Sequence, residues 1–172
     1  MKTIPHNIAA VPLAAPYTRE GGAGAASGLR GKVAIVTGAA SGLGRRIVAA
    51  LAEQGALVVA TDIRHSVHEL ARPRRILALA ADAADEVGAR QAAALALAQF
   101  GRLDILVNTA VGVLDKSLLD TSVGEWDDLM ELNARGYFVQ AREALRRMTG
   151  PGAIVNVLPP GGRGGGAAPS CN

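Results

Sequence analysis

Between residues 33 and 157, short unbroken apolar runs alternate with segments whose apolar positions recur every three or four residues. Val33-Ala34-Ile35-Val36-Thr37 is a β-branched run of the kind buried on both faces of a sheet, and a strand is predicted over 33–37. Leu43, Ile47, Val48 and Leu51 then follow helical spacing up to Gly55, which predicts a helix over 42–54. The same alternation continues. Strands are expected over 56–61, 76–80, 103–108 and 153–157. A short helix is expected over 65–71, closed by Arg72-Pro73, and an Ala-rich helix over 85–100, with Asp85 and Glu86 in its first turn. Ser122 and Glu125 have the spacing of a capping box, so a long helix, in one or two pieces, is predicted over 123–148. Regular strand–helix alternation implies right-handed crossovers and a parallel sheet covered by helices on both faces.

At both ends the pattern is lost. Residues 1–30 are rich in Pro and then in Gly, Ala and Ser, and read as a disordered tail. Residues 158–172 are mostly turn formers and read as a second tail, so the sheet is expected to stop after the fifth strand, in one domain over 31–157. Composition adds exclusions. The 172 residues carry a formal charge of +3, but Arg45, Arg46, Arg72, Arg74, Arg75, Arg146 and Arg147 are scattered and aromatics are few, which argues against nucleic acid as a partner. A single cysteine, Cys171, allows no internal disulfide and has no base near it in sequence. No apolar run is long enough to cross a bilayer, and a cytoplasmic location is expected. His65 and His68 lie three apart with no third ligand evident, so no metal site is expected. Trp126 reads as a helix packing residue.

Candidate chemistry begins at Thr37-Gly38-Ala39-Ala40-Ser41-Gly42-Leu43-Gly44, between the first strand and the first helix. Gly38 suits a tight turn, Gly42 a close approach of backbone to pyrophosphate, and Gly44 close packing of helix on strand. The free N–H groups of the helix start then face the phosphates. Asp62 ends the second strand 18 residues after Gly44, near the roughly 20 expected of a ribose-binding carboxylate. Its charge favours NAD over NADP, a preference that Arg64, two residues on, can soften.

These residues resemble the short-chain dehydrogenase/reductase family over about 31–157. The pieces fall in order: the glycine turn, Asp62, Asp82, Phe100-Gly101-Arg102-Leu103-Asp104-Ile105-Leu106-Val107-Asn108, Trp126, Asn133-x-x-Gly136 and Gly152-x-Ile154-Val155-Asn156. The resemblance implies an α/β fold with a Rossmann-like doubly wound sheet, and hydride transfer between NAD and an alcohol or carbonyl. It also implies cofactor contacts at Gly38, Ser41, Gly42, Leu43, Gly44, Asp62, Ile63, Asp82 (on adenine), Ala83, Asn108 (tying the fourth strand to its neighbours) and Ala110. Asn133 would be the asparagine that helps hold a water in the family's proton relay.

Several positions depart from the family pattern. Val111 stands where the family has glycine and would crowd the nicotinamide, with Gly112 one place late. Leu158 and Pro159 stand where the family has Ser-Ser. The Tyr-x-x-x-Lys pair is absent: Gly21 follows Tyr17 and Ala141 follows Tyr137 at the lysine spacing. Three expectations follow: an oxidoreductase by descent with negligible turnover in this chain, a non-catalytic dinucleotide-binding module, or a truncated or frameshifted product. The apolar fifth strand would form an exposed edge open to pairing with a second copy.

Overall fold

A computed structural model of the protein describes residues 28–158. The expectations for 1–27 and 159–172, including Cys171, lie outside these residues. Five strands, β1 (Val33–Val36), β2 (Leu57–Asp62), β3 (Ile76–Ala80), β4 (Ile105–Asn108) and β5 (Ala153–Asn156), form one sheet in the order β3-β2-β1-β4-β5. All four pairings are parallel. The helices are α1 (Gly42–Glu53), α2 (Glu86–Phe100), α3 (Val123–Met130) and α4 (Tyr137–Leu145), with short 3₁₀ turns at His65–Leu70 and Leu118–Asp120. The parallel sheet expected from the alternation is present, and with it the α/β, doubly wound, Rossmann-like fold that the resemblance implies.

Burial explains the unbroken apolar strands. Val33 and Ile35 of β1, with Leu57 and Val59 of β2, pack on one face with Ala92, Ala93 and Ala96 of α2 and Ala144 of α4. Val36, Val58 and Ala60 point to the other face and meet Val48 of α1 and Val67 and Leu70 of the first 3₁₀ turn. Small alanines on α2 let that helix lie close to the sheet. The strand order reverses direction between β1 and β4. In open α/β sheets such a reversal leaves a crevice beyond the carboxyl ends of the strands.

Three local expectations are refined. Asp85 precedes α2 as its N-cap, accepting N–H bonds from Val87 and Gly88 at 3.2 and 3.4 Å, and leaves Glu86 alone in the first turn. The long helix is unbroken but not α-helical throughout: α3 passes into a wider π-helical stretch, Glu131–Gly136, and that into α4, which ends at Leu145 before the expected 148. Trp126, expected to pack on its helix, is 42% exposed and is covered only in part. The capping box at Ser122 forms as expected, with the Ser122 hydroxyl accepting from Glu125 N–H and the Glu125 carboxylate accepting from Ser122 N–H. β5 is largely exposed, with Val155 and the following Leu158 open to solvent.

Candidate functional site

A cleft of about 840 Å³ opens at the carboxyl ends of the strands. Its walls are the turn 38–44, the end of β2 with Ile63 and Arg64, residues 81–85, residues 109–111 with Val113, part of the π-helical stretch, and Val157 and Leu158. Ten expected cofactor residues, Gly38, Ser41, Gly42, Leu43, Gly44, Asp62, Ile63, Asp82, Ala83 and Ala110, line this single cleft. Asn108 and Asn133 are not among the lining residues.

The turn depends on two absent side chains. Gly38 sits at φ +65°, and a Cβ there would lie 2.7 Å from Ala110 N. A Cβ at Gly44 would lie 2.2 Å from the Gly38 carbonyl oxygen and 2.6 Å from Thr109 Oγ1. Two threonines from separate strand ends brace the same place. Thr109 Oγ1 donates to the Thr37 carbonyl at 2.5 Å, and Thr37 Oγ1 accepts from the N–H groups of Thr109 (3.1 Å) and Ala110 (3.3 Å).

Ser41 occupies the N-cap position of α1 but makes no side-chain cap. Its hydroxyl instead accepts from an Arg64 NH₂ group at 2.6 Å. No side chain thus competes for the first-turn N–H groups of α1, the groups a helix offers to an anion.

Asp62 is 5% exposed. Its Oδ2 accepts from Ala40 N–H at 2.9 Å, and its Oδ1 from the main-chain N–H and Nε of Arg64 at 2.9 and 3.1 Å. Burial pushes its carboxyl up, but the Arg64 bonds and charge and the Ala40 N–H outweigh burial and hold it below its ordinary value. Asp82 folds back, with Oδ1 accepting from Ala84 N–H at 2.9 Å. The Ala83 carbonyl accepts from Gln140 Nε2 at 3.0 Å, which ties this wall to α4.

Asn108 is fully buried and donates through Nδ2 to Asn156 Oδ1 at 2.9 Å, joining β4 to β5, while its Oδ1 has no partner. Asn133 grips the loop after β4 from both sides: its Oδ1 accepts from Gly112 N–H at 2.8 Å and its Nδ2 donates to the Gly112 carbonyl at 2.9 Å. Val111, 37% exposed, lines the cleft.

Sequence reasoning overlooked three contributions. Asp128, Glu131, Leu132 and Arg135 reach the cleft from the end of α3 and the π-helical stretch, which no periodicity marks. The Thr37–Thr109 brace joins residues 72 apart. Tyr137, noted only for lacking a lysine partner, donates to the Val157 carbonyl at 2.6 Å and anchors the chain leaving β5; burial pushes its phenol up. Among the described residues no group of three or more His, Cys, Asp or Glu side chains could hold a metal, and no helix is long and apolar enough to cross a membrane. The His65 and His68 rings stack on each other with centroids 6.2 Å apart.

The short chain dehydrogenase family pattern matches residues 32–170. The chain belongs to this family. It is 39% identical over 131 residues to the NAD-dependent glycerol dehydrogenase of Listeria innocua, covering 73% of this chain and 52% of that protein. To the D-threitol dehydrogenase of Mycolicibacterium smegmatis it is 37% identical over 137 residues, covering 75% of this chain and 53% of that protein. Among solved structures, a Serratia marcescens short-chain dehydrogenase/reductase mutant superposes with a TM-score of 0.69 at 35% identity, over 74% of this chain and 55% of that one. A blue fluorescent protein from a metagenomic library, in complex with NADPH, superposes with a TM-score of 0.68 at 37% identity, over 76% and 56%. The chain thus spans about half the length of the curated relatives it matches.

The cleft fits the nicotinamide dinucleotide that the family implies. Its glycine turn would be filled by any Cβ at Gly38 or Gly44, the α1 start is uncapped by side chains, and a carboxylate stands at the end of β2.

Proposed function

We propose that this chain is the dinucleotide-binding part of a short-chain dehydrogenase-type oxidoreductase, that it takes NAD in preference to NADP, and that residues 1–172 alone do not sustain turnover. The observation that carries the reading is the convergence of the glycine turn, the uncapped start of α1 and Asp62 on one cleft. In this reading the first-turn N–H groups of α1 hold the pyrophosphate. Asp62 accepts the ribose hydroxyls, and its charge repels a 2′-phosphate. Asp82 and Ala83 border the adenine. Asn108 and Asn133 act as positioning residues, fixing the β4–β5 seam and the loop at Gly112. When bound, the nicotinamide ring accepts or gives a hydride at an alcohol or carbonyl carbon.

The family's Tyr-x-x-x-Lys pair, which would supply the proton half of that chemistry, does not occur in residues 1–172. Neither tyrosine is followed at the required spacing by lysine, and Leu158 stands where the family places a serine. Loss of a positioned proton donor alone removes about 10²–10⁴ in rate. A cytoplasmic location, and pairing of two copies along the β5 edge, belong to the same reading; they rest on the single cysteine and on the exposure of Val155.

Calorimetric titration with NAD tests the proposal. Binding by the 172-residue chain, weakened about tenfold or more in Asp62→Ala, with no NADH formed from a panel of alcohols, is the expected outcome. Sustained NADH formation would refute the claim about turnover. A folded sample that ignores millimolar NAD would refute the whole reading.

A further inference from the structure

The sheet order β3-β2-β1-β4-β5 also sets the order of chemical groups along the cleft. On the β3–β1 side the wall is polar, with Asp82 and Asp85 after β3, Asp62 and Arg64 at the end of β2, and Ser41 before α1. On the β4–β5 side the strand-end loops contribute Thr109, Ala110, Val111, Val113, Val157 and Leu158. All but Thr109 are apolar, and the Thr109 hydroxyl already donates to the Thr37 carbonyl. Main-chain donors on this side are committed too. The N–H groups of Thr109 and Ala110 bond Thr37 Oγ1, that of Gly112 bonds Asn133 Oδ1 at 2.8 Å, and that of Val157 bonds the Asn108 carbonyl at 2.9 Å. Arg135, which reaches the cleft from the π-helical stretch, pairs with Glu131, and the stretch ends at Gly136 against Ala83, on the β3 side.

Val111 is held in place within this apolar side. Its chain neighbours are clamped, Ala110 to Thr37 and Gly112 to both ends of the Asn133 amide, and a β-branched side chain is restricted at χ1 as well. Val157 is fixed likewise, its carbonyl accepting from the Tyr137 hydroxyl at 2.6 Å. Resting on the dinucleotide reading above, we infer that the cleft is an adenosine diphosphoribose site: it takes ADP-ribosyl compounds as a class, and Val111 keeps the nicotinamide ring of NAD from adding to the affinity. With adenine and its ribose at β3 and β2, and the diphosphate at the start of α1, the second ribose and the nicotinamide extend toward β4 and β5. A carboxamide buried there gives up water for a wall whose N–H groups are taken, and the oxidised ring brings a positive charge against apolar side chains; both cost free energy. The ring stays in solvent instead. ADP-ribose, which ends at the second ribose, makes every favourable contact that NAD makes.

Calorimetric titration of ADP-ribose, NAD and nicotinamide mononucleotide against the wild-type chain, Val111→Gly and Val111→Ala tests this, with unliganded melting curves confirming that each variant folds. The wild type is expected to bind ADP-ribose at least as tightly as NAD and to give no binding heat with millimolar nicotinamide mononucleotide. Val111→Gly should bind NAD about three- to tenfold more tightly, the span set by one hydrogen bond's net worth, and leave ADP-ribose unchanged. Val111→Ala should shift the NAD affinity in the same sense by less. NAD bound about tenfold or more tightly than ADP-ribose by the wild type, or a Val111→Gly variant that changes both affinities alike or neither, overturns the inference while leaving the cleft a dinucleotide site. Binding of neither ADP-ribose nor NAD by the wild type overturns the dinucleotide reading itself.

Discussion

A methyl group added at Gly44 would meet backbone on one side and a braced threonine on the other. The Gly38 oxygen would be 2.2 Å away and Thr109 Oγ1 2.6 Å away. Alanine is the better helix former by about 1 kcal/mol, so a residue exposed in α1 would gain from the change. Here the helix start and the β1–β4 seam must move apart instead, at a cost of about 1–3 kcal/mol, and the N–H groups of the first turn move with it. Gly44→Ala should melt several degrees lower, at about 2–4 °C per kcal/mol for a chain of this size, and should lose NAD affinity in calorimetry. An alanine variant as stable as wild type would refute the close approach. Gly38, Gly44 and Asp62 were legible because strand, turn, helix and second strand fix their positions relative to one another. The Asp62–Arg64–Ser41 bonds were not, because they depend on where a long side chain turns after folding.

The same contrast holds at the level of elements. β1 and β2 could be read directly because a strand buried on both faces needs an uninterrupted apolar run, and few other structures do. The π-helical stretch 131–136 could not: its side chains keep nearly helical spacing, and no residue type marks the extra residue per turn. Yet that stretch places Asn133 against Gly112 and brings Leu132 and Arg135 to the cleft. Wider helical turns recur at functional sites. The entry to this composite helix rests on the capping box at Ser122. The Glu125 carboxyl is held down to about 2, chiefly by its bond to Lys116 and then by the Ser122 N–H and hydroxyl. Replacing a Ser cap by Ala costs about 1 kcal/mol. Ser122→Ala should therefore lower the melting temperature by about 2–4 °C, and Ser122→Asp, which keeps an acceptor, should restore most of it. Equal melting of all three would show that α3 is held by tertiary packing alone.

Across the whole molecule, two buried carboxylates pin opposite ends of the parallel sheet. Asp62 joins the carboxyl end of β2 to the glycine turn. At the amino ends, Asp104 accepts from Val33 N–H at 3.0 Å, Lys32 Nζ at 3.3 Å, and Arg102 Nε and NH₂ at 2.7 and 2.5 Å, while its own main-chain carbonyl accepts from Ala153 N–H at 2.9 Å. Asp104 thereby gathers β1, β4 and β5, a role its place in a sequence motif did not reveal because its partners at Lys32 and Val33 are over 70 residues away. Burial pushes both carboxyls up, but the bonds from Arg64 and Ala40 at Asp62, and from Arg102, Val33 and Lys32 at Asp104, win and leave both below their ordinary values. The folded chain thus holds each proton more weakly than the unfolded chain, in which an aspartate titrates near about 3.9. Their stabilisation is complete well above that value and is lost as pH falls through the lower folded values. Melting temperature should change little on this account from about pH 5 to 8 and fall progressively from about pH 4 downward. Asp104→Asn removes one of the two groups. It should melt lower than wild type at pH 7, because the Arg102 and Lys32 charges lose their partner, and its further fall between about pH 5 and pH 3 should be shallower. A variant that tracks the wild type in parallel across that range would show that other carboxylates govern the acid limb.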